Sequence, residues 1–238
     1  MTIHYDGSGY KGWQLQKSAK TLQGTLEAAL AVLNYGKVIR IHGAGRTDTG
    51  VHAVGQVAHF DFDTSMKPTD LLEALNGNLP SDIRVLTCEK VNDQFHARFS
   101  ARKRTYRYRC RTNHFIFDRS FTWMTGPLNV GVLNQAAETI LGDHDFSSFS
   151  RRSEEVNHRR CVIHESSWKA DGHIVNYQIT GNRFLHHMVC YLVGTMVEIS
   201  RGRFRLADFE DLIANPKEKV HIYKAPPQGL ILEKIEYE

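Results

Sequence analysis

Residues Gly43-Ala44-Gly45-Arg46-Thr47-Asp48-Thr49-Gly50 hold the densest group of potentially reactive side chains in the sequence. Two known phosphate loops share its glycine content, and neither fits. A dinucleotide fingerprint, G-x-G-x-x-G, needs its third glycine where Asp48 stands. It also opens a helix, whereas a strand-like pattern follows here. A Walker loop running from Gly45 to Gly50 needs lysine next and meets Val51. A carboxylate in the middle opposes phosphate as well. What remains is a glycine-flanked turn offering one cation, Arg46, and one carboxylate, Asp48. Two residues apart in an extended segment, their side chains point to one side. Aspartate also commonly ties up a turn through its own main chain, and spacing alone leaves that alternative open. His52 and Gln56 continue a polar line into the next segment.

A second concentration surrounds Tyr106. Arg98, Arg102, Lys103, Arg104, Arg107, Arg109 and Arg111 have no acid among them. Arg107, Arg109 and Arg111 alternate, so a strand places them on one face and Tyr106 and Tyr108 on the other. Arginines for phosphate beside an aromatic for a base would suit a nucleic acid. The plain alternative is a solvated basic face. Arg151, Arg152, Arg159 and Arg160 form a second basic cluster, diluted by Glu154 and Glu155. Arg201, Arg203 and Arg205 form a third, after a helix C-terminus where cations are favoured anyway. His144, between Asp143 and Asp145, has no second cluster at metal-ligand spacing and is read as ending a helix.

The elements that position these residues follow from periodicity. Leu22, Leu26, Ala29, Leu30 and Leu33 share a face of a helix over 21–34. Residues 38–42 and 54–62 read as strands. Pro68 opens a short helix at its first position, with Leu71, Leu72 and Leu75 inward. Residues 83–91 and 104–111 read as strands, 131–141 and 183–199 as helices. A strand pair lies around Asp171-Gly172, and a last helix, 206–214, precedes a final strand, 230–237. Strands and helices mix without regular βαβ alternation, which predicts α+β with largely antiparallel sheet.

The 238 residues are ordinary globular material, with 41% apolar and 24% charged types. Net charge is −1 over residues 1–97, +8 over 98–205 and −3 over 206–238. That asymmetry suggests a polyanionic partner, and its step near Arg98 divides the chain into halves 1–98 and 99–238. No apolar run reaches ~18 residues, so no membrane partner is expected. Four cysteines without a C-x-x-C pair exclude a zinc ribbon, and they are too sparse for a disulfide scaffold. A reduced cytoplasm is the expectation. The opening MTIHYDGSGY reads as a strand entering a turn, with a few residues lost before it.

GRTDTGVHA closely resembles the G-R-T-D-x-G-V-H-A motif of the TruA-type tRNA pseudouridine synthases. The resemblance covers nearly the whole chain. It includes Tyr5-Asp6-Gly7-Ser8, Gly12-Trp13-Gln14 and Gln23-Gly24. It continues through residues 101–108, Gly142 to Phe146, Phe184 to Gly194, and Ala225-Pro226-Pro227-Gln228-Gly229-Leu230. It implies two similar α+β halves sharing a continuous antiparallel sheet, with flanking helices and a central basic cleft. It implies a homodimer that converts uridine to pseudouridine at positions 38, 39 and 40 of the tRNA anticodon arm. No redox step occurs, so no nicotinamide or flavin is needed, and no metal is implied.

By the same resemblance, Asp48 is the essential aspartate in the N-terminal half. Arg46 assists base flipping. Tyr106, in the C-terminal half, stacks on the flipped base, and Leu230 joins it at the substrate. Arg102, Arg104, Arg107, Arg109 and Arg111 are the expected RNA contacts. One position departs. The family pattern F-x-x-x-M-V-R ends in an arginine expected to pair with the aspartate, and this chain has Cys190 there. Two further readings therefore stay open: a catalytically weak member that mainly binds or refolds tRNA, and a nucleoside N-glycosylase using Asp48.

Overall fold

A computed structural model describes residues 1–151 and 158–237. In chain order the first elements are β1 (Thr2–Tyr5), α1 (Leu22–Leu33), β2 (His42–Gly43), β3 (His52–His59), α2 (Pro68–Asn78) and β4 (Ile83–Thr87). Then come β5 (Lys103–Arg111), β6 (Trp123–Met124), α3 (Val130–Glu138), β7 (Gly142–Asp145), β8 (Arg160–Asp171) and β9 (Ile174–Gly181). The chain ends with α4 (Met188–Ser200), α5 (Leu206–Ala214) and β10 (Leu230–Glu236). The fold class is α+β, with mostly antiparallel pairing. No helix among the described residues is long and apolar enough to cross a membrane.

Two compact units divide the chain. The first holds residues 1–102 and 231–238, the second 103–230. The charge step near Arg98 lies four residues before this division, and the chain's last strand belongs with the first unit.

In the first unit, β3 pairs antiparallel with β1, and β1 with β4. β10 runs parallel to β3 along its other edge, aligning Ile231 with His52, and β2 pairs further along, His42 with His59. The Thr21 side chain caps α1 by accepting the Gly24 N–H at 3.2 Å. Leu22, Leu26, Ala29 and Leu30 fall inward at helical spacing, and α2 begins at Pro68 as its fixed φ favours.

In the second unit, β5, β9, β8 and β7 pair antiparallel in that order, with β6 parallel on β5. Tyr106, Tyr108, Cys110, Trp168, Val175, Tyr177 and Ile179 are buried. α3 packs on β8 and on α4. Asn134 fixes α3 to β8 with both ends of its amide, accepting from Trp168 N at 2.8 Å and donating to Trp168 O at 3.0 Å. α4 is buried over almost its whole length, as its apolar sequence requires.

Several boundaries differ from expectation, each for a local reason. The helix expected from residue 183 begins at Met188, because His187 takes φ +64°, outside the helical region. The strand expected over 38–42 shrinks to His42–Gly43. The Ile41 N–H is taken by the Glu27 carboxylate at 3.2 Å instead of a ladder partner. The strand expected over 54–62 runs from His52 to His59, leaving Phe60 and Phe62 beyond it. His144 lies in β7 and does not end a helix.

Gly55 gives a direct test of the first unit's packing. A Cβ there would collide with the main-chain carbonyl of Glu233 on β10. Backbone cannot swing aside as a side chain can. Gly55→Ala is expected to lower unfolding free energy by about 1–3 kcal/mol in urea titration. An unchanged midpoint would show that β10 is not packed against β3 as described.

Candidate active site

The segment between β2 and β3 is anchored at Ala44, Gly45 and Thr47. Ala44 N–H donates to Val57 O at 2.8 Å. The Gln56 amide donates to Gly45 O at 2.8 Å. Thr47 turns inward, its hydroxyl 2.8 Å from the Tyr5 hydroxyl, while its carbonyl accepts the Trp13 N–H at 2.9 Å. The residues between these anchors are displayed: Arg46 is exposed and Asp48 half-buried. The turn is closed by the main-chain carbonyl of Asp48, which accepts Val51 N–H at 3.1 Å. Gly50 takes φ +78°, a conformation glycine adopts at little cost.

The motif fragments upstream now have a physical role. Gly12 lies against the Thr47–Asp48 peptide, where a Cβ would stand 2.7 Å from Thr47 O. Trp13 covers Gly43, with its ring 2.6 Å from where a Cβ would be. His52 and Gln56 do not form an exposed polar line. Both are buried, and His52 accepts the Gly7 N–H at 3.1 Å. Tyr5 and Trp13 stand within sequence motifs that by themselves assign them no task. The signal available was a tyrosine and a tryptophan in polar, turn-rich surroundings, where a hydroxyl or a peptide needs a partner.

In the second unit, Tyr106 sits in β5 with 9% exposure, edge-on to Phe184 at 5.2 Å between ring centroids. Its neighbour on the same face, Tyr108, donates to Pro226 O at 2.6 Å. Burial raises the Tyr108 phenol well above its ordinary range, so it stays a donor. Gly229 lies flat on that ring, where a Cβ would stand 2.6 Å from it. These contacts fix the segment that ends at Leu230, which is itself buried. Cys190, in the first turn of α4, is 1% exposed, and its carbonyl accepts Ala225 N–H at 2.9 Å.

The arginines sort into two kinds. Arg107 and Arg109 project from the face of β5 opposite Tyr106, beside Gln178 and Asn176 of β9. Arg111 shares their face, but its charge is taken by Asp118 at 2.5 Å, and its guanidinium covers the Phe115 ring at 4.5 Å. Arg104 donates to Asn182 O at 2.6 Å. Arg102 is exposed. In the third cluster, Arg201 and Arg203 both grip the buried Glu198, at 2.6 and 2.5 Å, and Arg205 pairs with Asp208. Arg159 pairs with Glu218 and Arg160 with Asp143. Arg152, Glu154 and Glu155 lie outside the described residues.

A family model described as tRNA pseudouridine synthase matches residues 1–100 and 136–238. The chain belongs to the tRNA pseudouridine synthase family. Among relatives named tRNA pseudouridine synthase A, that of Chlorobium chlorochromatii (strain CaD3) is 39% identical, covering 100% of this chain and 98% of that protein. The Exiguobacterium sp. relative (strain ATCC BAA-1283 / AT1b) is 37% identical, over 100% and 97%. That of Geobacillus kaustophilus (strain HTA426) is 36% identical, over 99% and 93%. Similarity therefore runs through both units, and the two anchored segments belong to one family pattern.

For this synthase-family chain, the Glu198 pairs predict that part of its positive charge is structural. Arg201→Gln leaves a buried carboxylate short of a partner. It is expected to cost about 3 kcal/mol in chemical denaturation, with no change in the salt dependence of tRNA binding. A flattened salt slope at full stability would instead place Arg201 on the RNA.

Proposed function

We propose that the chain isomerises uridine to pseudouridine at positions 38, 39 and 40 of the tRNA anticodon stem-loop, with Asp48 as its reactive carboxylate. The observation that carries this reading is the construction of the loop. Gly45 and Thr47 are tied inward, so Arg46 and Asp48 are displayed together, on the residues that match the family motif. The N-terminal half supplies the aspartate. The C-terminal half supplies Tyr106 and most of the basic residues.

The reaction breaks the bond between N1 and C1′, turns the uracil, and joins C5 to C1′. The C5 proton leaves and N1 gains one, so the atoms balance without an oxidant or a metal. A carboxylate assists by adding to C1′ or by taking a ribose proton, and Asp48 is assigned that task. The target base must first leave the stack, at a cost of a few kcal/mol. Arg46 assists extrusion, Tyr106 stacks on the extruded base for ~1–3 kcal/mol, and Leu230 lines the same substrate. Arg102, Arg104, Arg107 and Arg109 are assigned to phosphate. The chain acts as a homodimer in the cytoplasm.

Cys190 favours a second reading, a member with weak turnover that mainly binds tRNA. It offers a thiol where the family pattern has a cation. Incubation with tRNA carrying tritium at uridine C5 separates the readings. Isomerisation releases tritium and leaves no free base. Free uracil would mean an N-glycosylase, and binding without release would mean a tRNA-binding member. Asp48→Asn should reduce tritium release below a few per cent while tRNA affinity stays within a few-fold. Appreciable turnover in that variant would remove Asp48 from the reaction.

The arginine assignment has its own test. Replacing Arg107 and Arg109 by glutamine should flatten the slope of log affinity against log salt by up to ~2. Adding Arg111→Gln should flatten it no further, because Asp118 already neutralises that charge. An unaltered slope in the double variant would place the row away from RNA.

A further inference from the structure

A chain of hydrogen bonds runs beneath the loop that carries Asp48. It begins at Gln56, which has no exposed surface. The Gln56 Oε1 accepts Val57 N–H at 3.2 Å, and its Nε2 donates to Gly45 O at 2.8 Å and to the Tyr5 hydroxyl at 3.4 Å. Turning the amide over would set Nε2 against an N–H donor and Oε1 against a carbonyl. The orientation is therefore fixed by its partners. The Tyr5 oxygen accepts the Gln56 N–H and lies 2.8 Å from Thr47 Oγ1, where the two hydroxyls share a hydrogen bond.

We propose that Tyr5, Gln56 and the Thr47 hydroxyl are positioning residues for Asp48. The proposal rests on the reading of Asp48 as the reactive carboxylate. None of the three needs to touch substrate. Thr47 and Asp48 are consecutive, and inward fixation of one sets the direction of the other. Main-chain contacts hold the loop near this place whatever the side chains are: Trp13 N–H on Thr47 O, and Gly12 beneath the peptide. Losing the hydroxyl chain should therefore leave the fold standing and loosen only the aim of the carboxylate. Small misplacement of a reacting group costs rate steeply. Binding of a large RNA through many phosphate contacts does not depend on that aim.

The experiment measures single-turnover rate at saturating tRNA, tRNA affinity and melting temperature for a set of variants. Tyr5→Phe keeps the ring and removes the hydroxyl that links Gln56 to Thr47. Its rate should fall about tenfold, with affinity within about twofold. Thr47→Val, close in size but without the hydroxyl, should reproduce that fall. Thr47→Ser, which keeps it, should stay within about twofold of the parent. The double variant Tyr5→Phe/Thr47→Val should be no slower than either single one, because both break the same link. Equal rates in Thr47→Val and Thr47→Ser would overturn the proposal, even if Tyr5→Phe failed to fold. So would a rate loss in Tyr5→Phe matched by lost affinity. Asp48→Asn is measured alongside. If it is inactive while Tyr5→Phe is unimpaired, the positioning role fails and the aspartate assignment stands. If Asp48→Asn remains active, the assignment itself fails.

Discussion

A buried amide must have every polar atom paired, and the first unit is built around that requirement at Gln56. Leaving one such group unpaired costs about 1–3 kcal/mol. Gln56 sits in the middle of β3, flanked by β1 on one edge, with Ile3 directly opposite it. Its partners are the Gly45 carbonyl of the loop and the Tyr5 hydroxyl of β1. Shifting the loop by one residue would strand the amide, and Thr47 with it. The strand thus dictates the loop's register, and in that register Arg46 is exposed and Asp48 half-buried. A glycine-rich segment would otherwise be among the least constrained in the chain.

The same logic divides the positive charge. A net +8 in the middle of the sequence does not amount to eight charges available to an RNA. Arg201 and Arg203 hold the Glu198 carboxylate inside the second unit, and Arg111 is held by Asp118. Composition counts these arginines with the others, because it cannot see that an acid elsewhere in the chain has claimed them. Asp118 lies beyond the end of β5, which carries Arg111, and Arg203 lies beyond the end of α4, which carries Glu198, so neither pair falls within one helix or strand. The pairs arise from turns, which is why periodicity did not reveal them.

What was legible in the sequence is what repeats. The period-two pattern of β5 assigned its faces correctly, and the helical spacing from Leu22 to Leu30 gave α1. Asp171-Gly172 marked the turn between β8 and β9, where Gly172 has φ +56°. What was not legible depended on a single partner. The start of α4 is set by His187 at φ +64°, and nothing in Arg183-Phe184-Leu185-His186 forbids a helix. The length of β2 is set by a glutamate 14 residues earlier, on another element. In the loop, the motif singled out Asp48. Only the geometry gives Tyr5, Trp13 and Gln56 their work, since each acts through a contact distant in sequence.

β5 carries the last consequence. Its pairing with β9 fixes Tyr106 opposite Ile179 and Arg107 opposite Gln178. The Thr105 and Thr180 hydroxyls, 3.0 Å apart, and the Tyr108 bond to Pro226 hold that alignment. A slip of one residue would exchange the tyrosines with the arginines, burying guanidinium groups in the apolar interior at prohibitive cost. The alignment is therefore secure, and it separates two tasks. Side chains at consecutive positions leave a strand in opposite directions. If Tyr106 stacks on an extruded base, Arg107 and Arg109 point away from that nucleotide and cannot grip its own phosphates. Phosphates they bind must belong to another stretch of the RNA, reached from the far face of the strand. On the proposed assignment the arginine row would add affinity and orientation, while the choice of target uridine would rest with Tyr106 and the groups on its own side.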